Sequence, residues 1–153
     1  MNPRNKAIAL ATAGLLTFVG LREGREYVVY QDVNHVATVC DGITGPEVIA
    51  GKVYTDAECD ALKQKAIVKH GSGVLQCVTV EISQSEYEAY TSFAYNVGVS
   101  AFCKSTMLRK LNAGDHRGAC NEFPKWIYAG GKRYRGLERR RAAERELCLK
   151  GLI

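Results

Sequence analysis

The stretch Arg22-Glu23-Gly24-Arg25-Glu26-Tyr27-Val28-Val29-Tyr30-Gln31-Asp32-Val33-Asn34-His35-Val36-Ala37-Thr38 decides how this chain is read. Glu23 and Asp32 stand nine residues apart, and Thr38 follows six later. An uncharged run from Ala7 to Leu21 ends directly before them. Tyr27 to Ile43 is rich in Val, Tyr, Thr and Ile, with Asn34 and Gly42 as punctuation, which predicts a small β-hairpin or meander. Two carboxylates and a hydroxyl are thereby carried from a helix end, across a turn and into a strand.

Beyond the hairpin the signals are helical. Thr55-Asp56-Ala57-Glu58 is a capping box and predicts a helix to about His70, with Ala57, Leu62, Ala66 and Ile67 inward. Ser83-Gln84-Ser85-Glu86 is a second, opening a helix to Val97 with Gly98 as its stop. Short helices follow over Ser105 to Leu111 and Arg117 to Phe123, the latter closed by Pro124. Gly130-Gly131 is a turn, and a last helix covers Leu137 to Leu149. Helix, small sheet, then helices is an α+β order, with a small β lobe and a larger helical lobe. A chain of 153 residues suffices for one domain, or for two small lobes sharing a core.

The composition, 46% hydrophobic and 24% charged, is that of an ordinary globular protein. A net charge of +5 suits either a solvated surface or an anionic partner. Nucleic acid is set aside, because no zinc-finger spacing, aromatic ribonucleoprotein motif or basic recognition helix occurs. Lys132, Arg133, Arg135, Arg139, Arg140, Arg141 and Arg145 are interleaved with Glu138, Glu144 and Glu146. That pattern reads first as a solvated helix with local ion pairs, and second as a grip on an anionic polymer. Trp126 and Tyr128 read as core. The cysteines are Cys40, Cys59, Cys77, Cys103, Cys120 and Cys148; no CxxC pair occurs, and only three histidines accompany them. No metal site and no cofactor is expected from that set. An oxidising compartment with up to three bridges fits it, and 15 connectivities stay open.

The front end admits three readings. Arg4 and Lys6 precede the apolar run, as in an export signal. Cleavage after the run would leave Glu23 at the extreme N-terminus, without a helix to position it. A buried or amphipathic first helix is the second reading. The third is a retained marginal anchor: fifteen helical residues span about 22 Å, against a hydrocarbon core of about 30 Å.

A carboxyl pair flanking a glycosidic bond is the machinery of glycoside cleavage, one protonating the leaving oxygen and the other assisting water or stabilising an oxocarbenium-like transition state. Glu23 and Asp32 suit those tasks, and Thr38 suits the holding of a water. Glu26 and Asp41 are competing acids, and His35 a competing base on a loop.

Glu23-Gly24, Tyr30-Gln31-Asp32, Thr38 and Gly42-Ile43-Thr44-Gly45 together resemble phage-type lysozymes, glycoside hydrolase family 24. Tyr54 to Cys59, Ser92 to Gly98, Ala101 to Thr106, Leu108 to Asp115, Trp126 to Gly131 and Gly136-Leu137 look like that family's lambdoid-phage endolysins. The resemblance implies a two-lobed α+β fold with an N-terminal apolar helix. It also implies hydrolysis of the β-1,4 bond between N-acetylmuramic acid and N-acetylglucosamine of bacterial peptidoglycan, for host lysis. By position, Glu23 matches the general acid, Asp32 the second carboxylate and Thr38 the water-positioning hydroxyl. Ala37 stands where many relatives have Trp, and Val39-Cys40-Asp41 where they have Asp-Gly-Ile. Similarity and locality imply the pairs Cys40–Cys59, Cys77–Cys103 and Cys120–Cys148. The front end resembles the signal-arrest-release segments of some endolysins. That implies an anchor over 1–21 and a catalytic domain over 22–153. Its partners are then peptidoglycan glycan strands and, through residues 7–21, the inner membrane. The protein is expected as a monomer on the periplasmic side of that membrane, then free in the periplasm. The alternatives are a lytic transglycosylase and a non-catalytic cationic wall- or membrane-binding protein.

Overall fold

The computed structural model describes residues 1–152. The chain forms two compact units, Ala11–Val68 and Met1–Leu10 together with the residues from Lys69 onward.

In the first unit, α1 (Ala13–Gly20) is followed by strands β1 (Glu26–Gln31) and β2 (Ala37–Cys40) and the start of α2 (Asp56–Cys77). Thr12 caps α1, its hydroxyl accepting from the Leu15 amide at 3.0 Å, and the helix buries Leu15 and Val19 completely. β1 and β2 pair antiparallel with Tyr30 opposite Thr38 and Gln31 opposite Ala37, and the register shifts between Glu26 and Tyr30. Such an irregularity bends a strand and increases its twist. The Cys40–Cys59 disulfide ties the end of β2 to α2.

The second unit is helical: α3 (Gln84–Val97), α4 (Val99–Cys103), α5 (Thr106–Asn112), α6 (His116–Cys120) and α7 (Arg135–Lys150), with the hairpin strands β3 (Tyr128–Ala129) and β4 (Lys132–Arg133). The capping box at Ser83 and Glu86 is present in full. Tyr90 packs against Phe102 and Phe123 at 5.4 and 5.8 Å between ring centres, and Phe93 meets Trp126 edge-on at 5.0 Å. Cys77–Cys103 and Cys120–Cys148 are bridged here. Loops of 19, 26 and 28 residues are closed by the three bridges. Each such closure stabilises by about 3 kcal/mol on the chain-entropy account.

Four expectations are corrected. The apolar run is not one helix. Pro3–Ala7 is a 3-10 turn, residues 8–12 are irregular, and α1 has only eight residues. The reason is distant: Gln84 donates to the Ala9 carbonyl and accepts from its amide, both at 2.9 Å, and the Tyr87 hydroxyl donates to the Leu10 carbonyl at 2.7 Å. Those bonds replace the ones a helix would make. Among the described residues no helix is long and apolar enough to cross a membrane. Second, α2 runs on to Cys77 despite Gly71 and Gly73, each of which costs about 1 kcal/mol in a helix. A Cβ at Gly71 would collide with the Tyr87 hydroxyl, and one at Gly73 would sit 2.8 Å from Val99, so both are kept bare for packing. Third, Arg140 and Arg141 are buried rather than solvated, gathered around Glu144 in the core. Fourth, Tyr128 is 61% exposed.

Candidate active site

Glu23, Asp32 and Thr38 all lie in the Ala11–Val68 unit. α1 leads to the first: the Leu21, Arg22 and Glu23 amides still bond back into the helix beyond Gly20, the last of them to the Val19 carbonyl at 3.2 Å. The half-buried side chain then reaches Gly42, where an added Cβ would lie 3.4 Å from Glu23 Oε2. Gly42 has φ +78°, a conformation that favours glycine, so the turn after β2 presents bare backbone to the Glu23 carboxyl.

Asp32 ends β1 and organises the hairpin turn. Its Oδ1 accepts from the Asn34 amide at 2.8 Å and the Val36 amide at 2.9 Å, the self-capping habit of aspartate in turns. His35, at the turn, takes φ +60°. Thr38 is 4% exposed in β2 and donates from Oγ1 to the Val36 carbonyl at 2.8 Å. Asp32 and Thr38 therefore grip the same residue, one at its N–H and the other at its C=O.

Tyr30 lies on β1 two residues before Asp32. It faces Thr38 across the ladder, and its hydroxyl is held above the ordinary tyrosine value by burial first and then by the charges of Glu23, Glu26 and Asp32. In the sequence Tyr30 belongs both to the hairpin and to the Tyr30-Gln31-Asp32 block.

The competing groups separate. Glu26 and His35 are exposed. Asp41 is 2% exposed and held by Arg25 Nε and Nη2 at 2.6 and 3.0 Å, with Lys63 Nζ at 3.5 Å. Asp41, with Asp60 and Asp56, keeps the Arg25 guanidinium above its usual range.

The Phage lysozyme family model matches residues 21–144, and the chain belongs to that family. Over 148 residues it is 45% identical to the SAR-endolysin of Bacteriophage PS119, covering 95% of this chain and 88% of that protein. Its structure is similar to the muramidase domain of SpmX from Asticaccaulis excentricus: TM-score 0.84, 25% identity, 93% of this chain and 98% of that one. The active form of the P1 phage endolysin Lyz matches with TM-score 0.81 at 26% identity, over 95% of this chain and 88% of that one. The secreted inactive form of the same endolysin matches with TM-score 0.56 at 27% identity, over 71% and 78%.

Proposed function

We propose that this chain is an endolysin whose Glu23, Asp32 and Thr38 hydrolyse the β-1,4 bond between N-acetylmuramic acid and N-acetylglucosamine in peptidoglycan. Glu23 gives its proton to the leaving glycosidic oxygen as the C–O bond breaks. A water attacks the anomeric carbon from the opposite face and loses a proton to Asp32, so that one water is added overall. The observation that carries the roles is the shared grip on Val36. The Thr38 hydroxyl proton is committed to the Val36 carbonyl, which leaves the oxygen as an acceptor. Asp32, fixed on the Val36 amide, is a second acceptor on the same short turn. A water donating one proton to each turns a lone pair outward, the orientation that attack requires.

Digestion of purified peptidoglycan by the purified protein tests this reading, with release of soluble glycan fragments as the expected result. Gly42→Ala tests the support of Glu23. It forces an L side chain into a left-handed conformation, at about 1 kcal/mol or more, and sets a methyl in contact with Oε2. Turbidity clearing should slow by about tenfold or more, as misplacing one reacting group does. The melting temperature should drop only a few degrees. Unchanged clearing would remove Gly42 from the account.

A lytic transglycosylase needs the acid but no water activator, so Asp32 and Thr38 would have no task in it. A purely cationic binding protein is disfavoured by Arg140 and Arg141, which sit in the core and not on the surface.

Holding at the inner membrane before release belongs to the same proposal. Residues 7–21 include the apolar run, and Glu23 follows it by two residues, so insertion would press the catalytic motif against the headgroups. The released form is supported by the polar bonds of the front end. Asn5 is 1% exposed, donates to the Val80 carbonyl at 2.9 Å and accepts from the Ile82 amide at 3.0 Å. Asn2 donates to the Thr79 carbonyl at 2.9 Å. The higher likeness to the active than to the secreted inactive P1 endolysin points the same way. Fractionation of expressing cells should find the protein with the membrane, and depolarisation should free it and start lysis. Soluble, constitutively active protein in the cytosol would contradict the holding step.

A further inference from the structure

We propose that Arg25, acting through Asp41, is a positioning residue that holds the Glu23 carboxyl against Gly42. The inference rests on Glu23 being the acid. Arg25 follows Glu23 by two residues, and Asp41 immediately precedes Gly42. Between Glu23 and Arg25 stands Gly24, the residue type with the least backbone stiffness. Gly24 therefore does not by itself fix the path from Glu23 to Arg25.

The missing constraint is supplied by a ring of contacts. The guanidinium meets Asp41 fork-to-carboxylate, from Nε to Oδ1 at 2.6 Å and from Nη2 to Oδ2 at 3.0 Å. Two parallel charge-assisted bonds define an orientation that a single contact does not. The Asp41 side chain is 3% exposed, so water does not loosen the pair. From Asp41 the chain passes to Gly42, and Gly42 backs onto the Glu23 carboxyl. The ring closes through Gly24 to Arg25.

Helix α2 anchors this ring from outside. Arg25 also donates from Nη1 to Asp56 Oδ1 at 3.0 Å and from Nη2 to Asp60 Oδ1 at 2.8 Å. The disulfide from Cys40, adjacent to Asp41, reaches Cys59 of the same helix. Asp56 and Asp60 are exposed partners of low individual worth, whereas the Asp41 fork is shielded and directional. The backbone bonds between Val39 and Ile43 close the Gly42 turn, and loss of Arg25 would strip the directional fork from the buried Asp41 at its edge, which has Lys63 Nζ 3.5 Å away.

The test compares Arg25→Lys, Arg25→Gln and Asp41→Asn with Glu58→Gln in the full chain. Glu58 belongs to the Thr55 capping box and pairs with Lys52, so its loss weakens the start of α2 without removing any bond of the ring itself. Each variant is assayed on soluble peptidoglycan fragments below its melting transition, with the folded fraction read by circular dichroism. The expected result is a fall of roughly ten- to a hundredfold in kcat per folded molecule for Arg25→Gln and Asp41→Asn, with KM within about twofold. Arg25→Lys keeps the charge but loses the fork, and should recover only part of kcat. Glu58→Gln should melt earlier and keep its kcat. Unchanged kcat per folded molecule in Arg25→Lys and Asp41→Asn would overturn the positioning role, and these two decide if Arg25→Gln does not fold. Glu23→Gln, run alongside, separates the two claims: full activity there refutes the acid itself, whereas loss there with intact Arg25 and Asp41 variants refutes only the ring.

Discussion

Glu23→Gln should lower peptidoglycan clearing by about 10²- to 10⁴-fold while the protein stays folded, the range that a positioned general acid supplies. Glutamine keeps the shape that fits against Gly42 and the backbone bond to Val19, so the hairpin and α1 have no reason to move. What it lacks is a proton to give to the leaving oxygen. The expected signature is a melting curve close to that of the parent beside a collapse in rate. A fall in rate matched by a fall in folded fraction would instead make Glu23 a structural residue.

Glu144→Leu should be among the most destabilising single changes in the chain. Glu144 and Arg141 are both 0% exposed and Arg140 is 4% exposed. Arg141 Nε lies 2.7 Å and Arg140 Nε 3.4 Å from the two Glu144 oxygens, and the Ser92 hydroxyl donates to Oε2 at 2.7 Å. Burial raises the Glu144 carboxyl above its ordinary value, and Arg141, Arg140 and Ser92 oppose that rise. Arg141 also donates to Asn96 Oδ1 at 2.8 Å and stacks on Phe93 at 4.9 Å, and Arg140 donates to the Ser92 carbonyl at 3.0 Å. Removing the carboxylate leaves two buried guanidiniums without their counter-charge, which costs about 3–5 kcal/mol. That is a large share of the roughly 5–15 kcal/mol that holds a typical domain together. At about 2–4 °C per kcal/mol for a chain of this size, the melting temperature should fall by at least about 6 °C. Glu138→Gln, on the same helix, loses a surface ion pair with the exposed Arg133 of β4 and should cost under about 1 kcal/mol. Similar melting of the two variants would show that the core charges do not depend on Glu144.

The contrast between Glu138 and Glu144 also marks how far sequence reading reached. Both are glutamates among arginines on one helix, and local spacing makes them alike. Only the packing of α3 against α7, through Ser92, Phe93 and Asn96, separates them. The capping boxes at Thr55 and Ser83 were legible because their bonds close within three residues. The apolar run was misread as one helix because the groups that interrupt it, Gln84 and Tyr87, lie 75 and 77 residues away. The same division holds at the site. The spacing of Glu23, Asp32 and Thr38 stands out once the Gly42 to Gly45 block is read with it. The burden that Val36, Gly42 and the Arg25–Asp41 fork carry in arranging them is invisible in spacing, since each acts across a strand pair or a turn. Asp41 and Glu26 looked like equal rivals of Asp32 for that reason; the Arg25 fork on Asp41 is what distinguishes them.

Mass spectrometry of the fragments released from purified peptidoglycan is the most direct test of the central claim, that Glu23 and Asp32 pass a water across the muramyl bond. Reducing N-acetylmuramic acid ends, each carrying the added water, are expected from the parent protein, and almost no release from Glu23→Gln. Anhydro-muramyl ends, lighter by one water, or undiminished release from Glu23→Gln would contradict it.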